Sequence, residues 1–122
     1  MLIGELARRT GVSRRSLRYY EQHGLLHARR GRNGWRDYEE SAVHRVHTIA
    51  RMLDNGLTVS AIKQLEPCLD RDELADCDNP DLAIEIHRAR LALVDQRLAE
   101  LRRHRDQLAR QLQALRRMRI PE

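Results

Sequence analysis

Apolar residues recur at helical spacing in several short runs near the start of the chain, and one much longer run follows. In the first run, Ile3, Leu6 and Ala7 share one face of a predicted helix. Gly11 predicts the end of this helix, because glycine accepts the left-handed backbone that terminates many helices. Ser13 then predicts the N-cap of a second helix, so a tight turn joins the two.

The second predicted helix has two unlike sides. Leu17 and Tyr20 fall on one side, and we expect both to pack inward. The other side carries Arg14, Arg15, Arg18 and Tyr19. A cationic face of this kind is often only solvated, but on a helix that follows a tight turn it favours insertion into the DNA major groove. The two helices therefore predict a helix-turn-helix.

A small β-hairpin is predicted next. Residues 26–29 and 35–38 are the expected strands, and Asn33-Gly34 supplies the positive backbone angles of a tight turn. The hairpin carries four cations that a buried hairpin would not tolerate: Arg29, Arg30, Arg32 and Arg36. We therefore expect an exposed wing beside the second helix.

Two more short helices complete this part of the chain. The first spans about residues 39–55, with Val43, Val46, Ala50 and Leu53 inward. Thr58 caps the second, which stops before Pro67 with Val59, Ile62 and Leu65 inward. Residues 67–79 break the pattern and read as an acidic connector.

The long run predicts a single helix over residues 80–118. Asn79 is its expected N-cap and Pro80 its first residue. Its apolar residues repeat in heptads, with Ile84, Leu91, Leu98 and Leu112 at one position and Val94, Leu101, Leu108 and Leu115 at the other. A rod of roughly 58 Å cannot bury this seam by itself, so we expect a homodimeric coiled coil. The alternative is a lone amphipathic helix lying on its own domain.

The predicted fold class is mainly all-α. Residues 1–66 form a winged helix-turn-helix domain, 67–79 a connector, 80–118 a long coiled-coil dimerisation helix and 119–122 a tail. The chain has 23 Lys and Arg against 18 Asp and Glu, a net charge of +5, and the connector is its acidic part. An excess of arginine suits a polyanion partner, here double-stranded DNA.

Five segments resemble the MerR family of bacterial transcriptional regulators. They are IGELARRTGVS from Ile3, RRSLRYYE over 14–21, GLL over 24–26, NGWRDY over 33–38 and GLTVSAIKQL over 56–65. Two positions depart from the family pattern: Ala28 stands where proline is usual, and Trp35 where tyrosine is usual.

The resemblance implies roles for particular residues. Base-edge and phosphate contacts would fall to Arg15 and Arg18, and sugar-phosphate contacts to Arg30, Trp35 and Arg36. Trp35 has an alternative role as a hydrophobic plug between wing and helix. The resemblance also implies antiparallel pairing of the long helices. It further implies distortion of a near-palindromic promoter operator, so that RNA polymerase engages both promoter elements.

Cys68 and Cys77 are the candidate effector residues. Metal-sensing members of the family use cysteines near the start of the long helix, but this sequence has no second cysteine loop after it, so the full metal site does not carry over. Three possibilities stay open: reduced structural thiols, a redox switch, or metal capture. His44 and His47 lack a third ligand, and we predict neither a metal site there nor any catalytic constellation.

We expect a cytoplasmic protein with reduced cysteines and no membrane partner, because no signal peptide or long apolar run is visible. The predicted function is a DNA-binding transcriptional regulator, and the chain is not expected to be an enzyme. Two alternatives use the same elements differently. An architectural or recombination accessory protein would bend DNA without an effector, and a purely helical interaction module would not bind DNA.

Overall fold

The computed structural model describes residues 1–31, 33–70, 77 and 80–119. Helix α1 spans Ile3–Thr10 and helix α2 spans Arg14–Gln22. Gly11 ends α1 with a φ of 74°, and the Ser13 hydroxyl caps α2 by accepting a hydrogen bond from the Ser16 amide at 3.1 Å. The predicted helix-turn-helix is confirmed, and so is the mainly helical fold class.

The wing is shorter than predicted. Strand β1 is Arg29–Arg30 and strand β2 is Arg36–Asp37, paired antiparallel. The Gly31 amide donates to the Trp35 carbonyl at 2.8 Å, and the Gly34 amide donates to the Gly31 carbonyl at 2.9 Å. Gly34 has the expected positive φ of 77°, but Asn33, which is also described, does not. Arg32 lies outside the described residues.

Helix α3 spans Ala42–Asp54, starting three residues later than predicted. The predicted inward residues other than Val46 are only partly buried. The buried stripe consists of Ala42, Arg45, Val46, Ile49 and Met52. The prediction therefore missed the apolar residues Ala42, Ile49 and Met52 as well as Arg45, and it placed the inward face too close to Val43, Ala50 and Leu53.

Helix α4 spans Val59–Gln64, and the Thr58 hydroxyl caps it by accepting from the Ala61 amide at 3.1 Å. A 3-10 turn, Glu66–Cys68, follows directly. Leu65 and Leu69 are buried on either side of this turn. The start of the predicted connector therefore packs into the hydrophobic core of the preceding helices.

Helix α5 spans Pro80–Arg119, so the prediction that it starts at Pro80 is confirmed. The predicted cap, Asn79, lies outside the described residues. One compact unit covers Met1–Ile86 and a second covers residues from His87 onward. The first unit, called the head below, extends past the predicted boundary at 66 because Leu69 and Ala83 join its core. In the described part of the chain, no helix is both long and apolar enough to cross a membrane.

Candidate nucleic-acid interface

Helix α2 is anchored by one side and open on the other. Leu17 and Tyr20 are buried in the core, as expected, and burial raises the pKa of the Tyr20 hydroxyl. The outer face holds the four predicted DNA-binding residues, all exposed: Arg14, Arg15, Arg18 and Tyr19. The anchored side fixes the helix, so the outer side chains are presented from a rigid support.

Two of these four exposed side chains also lie close to neighbouring residues. The Arg14 guanidinium lies over Gly4 of α1, where an added Cβ would come within 2.5 Å of its Nη2. The Tyr19 ring lies 4.3 Å from the His23 ring, centroid to centroid. The other two, Arg15 and Arg18, are the residues for which base-edge and phosphate contacts were predicted.

Trp35 lies at the wing tip and is 60% exposed. It lines a shallow depression of about 290 Å³ with Leu2, Ile3, Arg18 and Arg36. This exposure disfavours the alternative in which Trp35 is a hydrophobic plug between wing and helix. An exposed indole beside two arginines retains its N–H donor for a sugar-phosphate contact.

A cleft of about 550 Å³ separates α2 from the wing. Its lining includes Arg18, Arg30 and Arg36, so the structure brings together cations from both predicted DNA-binding elements. Arg30 Nη1 also donates to the Gly34 carbonyl at 3.3 Å. The cleft holds one acid as well: Glu21 Oε2 lies 3.0 Å from Arg36 Nη1. Sequence analysis did not single out Glu21, because nothing local to α2 indicates its partner on the wing.

The wing is also tied to the start of the chain. The Tyr38 amide donates to the Met1 carbonyl at 2.7 Å, and the Met1 amino group contacts Asp37 Oδ1 at 2.6 Å. Tyr38 is buried, and no atom among the described residues forms a hydrogen bond with its hydroxyl. Burial raises the pKa of Tyr38, and the nearby Glu21 carboxylate adds to the rise.

Arg45 is a second feature that sequence analysis missed. It is only 8% exposed. Its Nε donates to the Leu25 carbonyl at 2.6 Å, Nη1 to Asp70 at 3.0 Å and Nη2 to Glu66 at 3.1 Å. A buried guanidinium needs such partners to offset its desolvation. Arg45 therefore connects α3 to the chain just after α2 and to the segment that contains Cys68.

Glu66 is the shared acceptor in this network. His27 and Lys63 also contact its carboxylate, at 3.1 and 3.3 Å. The hydrogen bond from His27 lowers the pKa of Glu66, with further lowering from Lys63 and Arg45. Lys63 Nζ in turn donates to the Gly24 carbonyl at 2.8 Å, so the end of α2 is held from two sides.

Cys68 and Cys77 are joined by a disulfide, with their Cα atoms 5.0 Å apart. This bond contradicts the expectation of reduced thiols, and the Cα separation lies within the range that a disulfide requires. Both residues are buried. Residues 71–76 between them, three of which are acidic, lie outside the described residues. Where the structure is described, no three His, Cys, Asp or Glu residues come together in a way that could hold a metal ion.

The predicted heptad seam of α5 is exposed along its length. Leu98 and Leu101 are 44% and 56% exposed, and the other seam residues beyond His87 are exposed as well. Arginines flank the seam at Arg88, Arg90, Arg97 and Arg102. The long helix is thus amphipathic, with an apolar stripe that the described residues leave uncovered.

Comparisons with known proteins agree with this arrangement. A family profile described as MerR HTH family regulatory protein matches residues 1–67. The HTH-type transcriptional regulator HmrR of Rhizobium leguminosarum bv. viciae is 34% identical over 101 residues, which cover 83% of this chain and 75% of that protein. The mercuric resistance operon regulatory protein of Bacillus cereus is 41% identical over 83 residues, covering 67% of this chain and 63% of that protein.

Two solved structures are similar over almost the whole chain. One is the transcription regulator PbrR691 from Ralstonia metallidurans CH34 in complex with lead(II), with 31% identity, a TM-score of 0.67 and coverage of 100% of this chain and 90% of that one. The other is HiNmlR, a MerR family regulator lacking the sensor domain and bound to promoter DNA. Its TM-score is 0.63 at 21% identity, with coverage of 95% and 90%, which shows a shared fold. The chain therefore belongs to the MerR family of helix-turn-helix transcriptional regulators.

Proposed function

We propose that the protein acts as a homodimer on a near-palindromic promoter operator in the cytoplasm. It distorts the promoter spacer so that RNA polymerase can engage both promoter elements. The main support for this proposal is the cleft between α2 and the wing. Arg18 from α2 and Arg30 and Arg36 from the wing all line it. Cations distributed in this way can meet the phosphates that flank a groove occupied by α2.

The dimer is proposed from the exposed seam. Leu91, Leu98, Leu101 and Leu108 lie along one stripe of α5 and are all exposed. A stripe of this length is stabilised when a second helix covers it, and we propose antiparallel pairing with the same helix of a second copy. Two heads joined in this way would meet two half-sites of one operator.

We propose DNA distortion because the free energy of bending can control how much of the promoter is active. An effector that favours the bent or the unbent complex by a few kcal/mol shifts the population of active promoter. An architectural protein would bend DNA equally at any locus. A genome-wide binding map separates the two functions, because our proposal requires enrichment within promoter spacers.

Two substitutions test the DNA interface. Arg18→Ala should lower the binding free energy for the preferred site by about 1 to 3 kcal/mol, because it removes a groove contact. It should also reduce the difference in affinity between that site and random DNA. Arg36→Ala should weaken binding to both DNAs, narrow the difference between the two affinities less than Arg18→Ala does, and lower the slope of log K against log salt by about one, because phosphate contacts carry little sequence information. Titrations at several salt concentrations measure both effects. Equal behaviour of the two variants would contradict this division of roles.

We propose Cys68 and Cys77 as the point where a signal enters. One relative is a mercuric resistance regulator, and one similar structure is a regulator in complex with lead(II). These metals are properties of those two proteins. In this chain the two sulfurs are bonded to each other, so the pair offers no thiolate to a metal while the bond stands. A thiol reductant would open the bond, converting it to two protein thiols while the reductant becomes a disulfide.

A variant with Cys68→Ser and Cys77→Ser should fold, dimerise and bind the operator, and lose only its response to an effector. Each single variant should lose the response equally, because a disulfide needs both sulfurs. Transcription assays with oxidant, zinc and copper measure this. If the double variant and its parent respond identically, the cysteines are structural and the signal enters elsewhere.

A further inference from the structure

Glu21 is an acid in a place where DNA binding favours cations. It lines the cleft with Arg18, Arg30 and Arg36, and its Oε2 lies 3.0 Å from Arg36 Nη1. A carboxylate in this position repels phosphates and weakens overall affinity for DNA. The ion pair adds little to folding stability, since the Glu21 and Arg36 side chains are 20% and 44% exposed. The ion pair with Arg36 therefore has no explanation in overall DNA affinity or in folding stability.

The pair joins two elements that are otherwise weakly connected. Glu21 lies in the last turn of α2, and Arg36 lies in β2, whose ladder with β1 is only two residues long. Met1 holds the end of β2 through Asp37 and Tyr38, but these contacts and a two-residue ladder do not fix the direction of the Arg36 side chain. The side-chain bond therefore determines where the Arg36 guanidinium lies relative to the recognition helix. A guanidinium has five N–H donors, so Arg36 keeps donors for a phosphate while Glu21 holds it.

We infer that Glu21 is a specificity-determining positioning residue, whose carboxylate holds Arg36 at one place between the recognition helix and the wing. DNA with the backbone shape of the operator meets Arg36 where it is held. Other DNA reaches the same guanidinium only by breaking the ion pair, and this cost falls on the wrong sequences alone. The inference rests on the proposed DNA-binding function.

Glu21→Gln tests the inference with little change in shape. The probes are a short duplex that the unchanged protein enriches from a randomised pool, and a scrambled duplex of the same composition. Affinity for the scrambled duplex should rise roughly three- to fivefold, as expected for the loss of one partly exposed ion pair. Affinity for the enriched duplex should change less, so the ratio of enriched-duplex affinity to scrambled-duplex affinity should fall. On the scrambled duplex, the slope of log K against log salt should steepen by about one.

Glu39→Gln is the matched control. It makes the same change in net charge, and Glu39 also pairs with a wing arginine, Arg29, at 2.7 Å, but it does not line the cleft. This control should leave the ratio unchanged. In an Arg36→Ala background, Glu21→Gln should also leave the ratio unchanged, because there is no guanidinium to hold. Both affinities come from one preparation, so a fraction of inactive protein cancels from the ratio.

Two outcomes would overturn the inference while leaving DNA binding intact. In one, Glu21→Gln and Glu39→Gln shift both duplexes by the same factor, which means that only net charge matters. In the other, Glu21→Gln leaves the ratio unchanged or raises it. If instead the unchanged protein shows no salt-dependent affinity for either duplex, the proposed function itself fails.

Discussion

Most leucine side chains are buried in the head but exposed along the long helix. Leu6, Leu17 and Leu25 in the head are 0% exposed, whereas Leu101 and Leu108 in α5 are 56% and 65% exposed. In the head, several short helices cross and cover one another's apolar faces. Beyond His87 the described chain is a single helix, and one helix cannot cover its own stripe. The comparison shows that leucine at helical spacing predicts a buried face without saying which chain buries it.

The two regions also differ in their charged residues. The head buries Arg45 among carboxylates and a carbonyl, while the described arginines of α5 beyond Arg90 are exposed. A buried ion network depends on every partner, because an unpaired buried charge is costly. We therefore expect single substitutions to separate the stability of the head from the assembly of the helix.

The largest effect is expected from Arg45→Ala, which breaks the head alone. It should lower the free energy of unfolding by about 3 to 5 kcal/mol, because Glu66, Asp70 and the Leu25 carbonyl lose a shared donor. Urea unfolding monitored by circular dichroism measures this loss. Arg51→Ala, on the exposed side of the same helix, is the control and should change stability by less than about 0.5 kcal/mol. Equal effects would mean that the network does not stabilise the head.

Leu101→Glu should break the assembly and spare the head. A charge midway along the seam would cost on the order of 2 to 4 kcal/mol of dimer stability, because it is desolvated between two helices. Sedimentation should then show monomer where the unchanged protein is dimeric. Gln96→Glu places the same charge off the seam and should leave the dimer intact. The dimer proposal fails if the unchanged protein is already monomeric at micromolar concentration.

A smaller effect, the dependence of head stability on pH, tests the charge network that distinguishes the head from α5. The folded-state pKa of Glu66 lies below its ordinary value of 4.5, chiefly because His27 donates to it. Its contribution to stability is fully present above that ordinary value and is lost as pH falls through the lowered folded-state pKa. Glu66→Gln should therefore flatten the acid side of the profile of unfolding free energy against pH.

Glu40→Gln is the control for this measurement. Its pKa is also lowered, by a hydrogen bond from Arg9, but this pair lies at the surface and solvent screens it. The control should flatten the profile less than Glu66→Gln does. If the two variants have the same profile, Glu66 does not act through the network around Arg45.

Much of the fold was predictable because it depends on local chemistry. Ser13 and Thr58 cap helices through their own side chains, Gly11 adopts the left-handed backbone, and Pro80 begins α5. Each of these signals acts within a few residues, so it is visible in sequence. The outward face of α2 followed from its periodicity for the same reason, and the family resemblance supplied roles for the positions on that face and on the wing.

The sequence by itself determined which α-helices form and which faces of α2 and α5 are polar or apolar. Only the tertiary structure decided the rest: the burial of Arg45, the pairing of Glu21 with Arg36, and the approach of Cys68 to Cys77. Arg45 contacts residues twenty or more positions away, and Glu21 lies on a different element from its partner. Spacing along one element cannot indicate such pairs, because each depends on how two elements pack and not on the period of either.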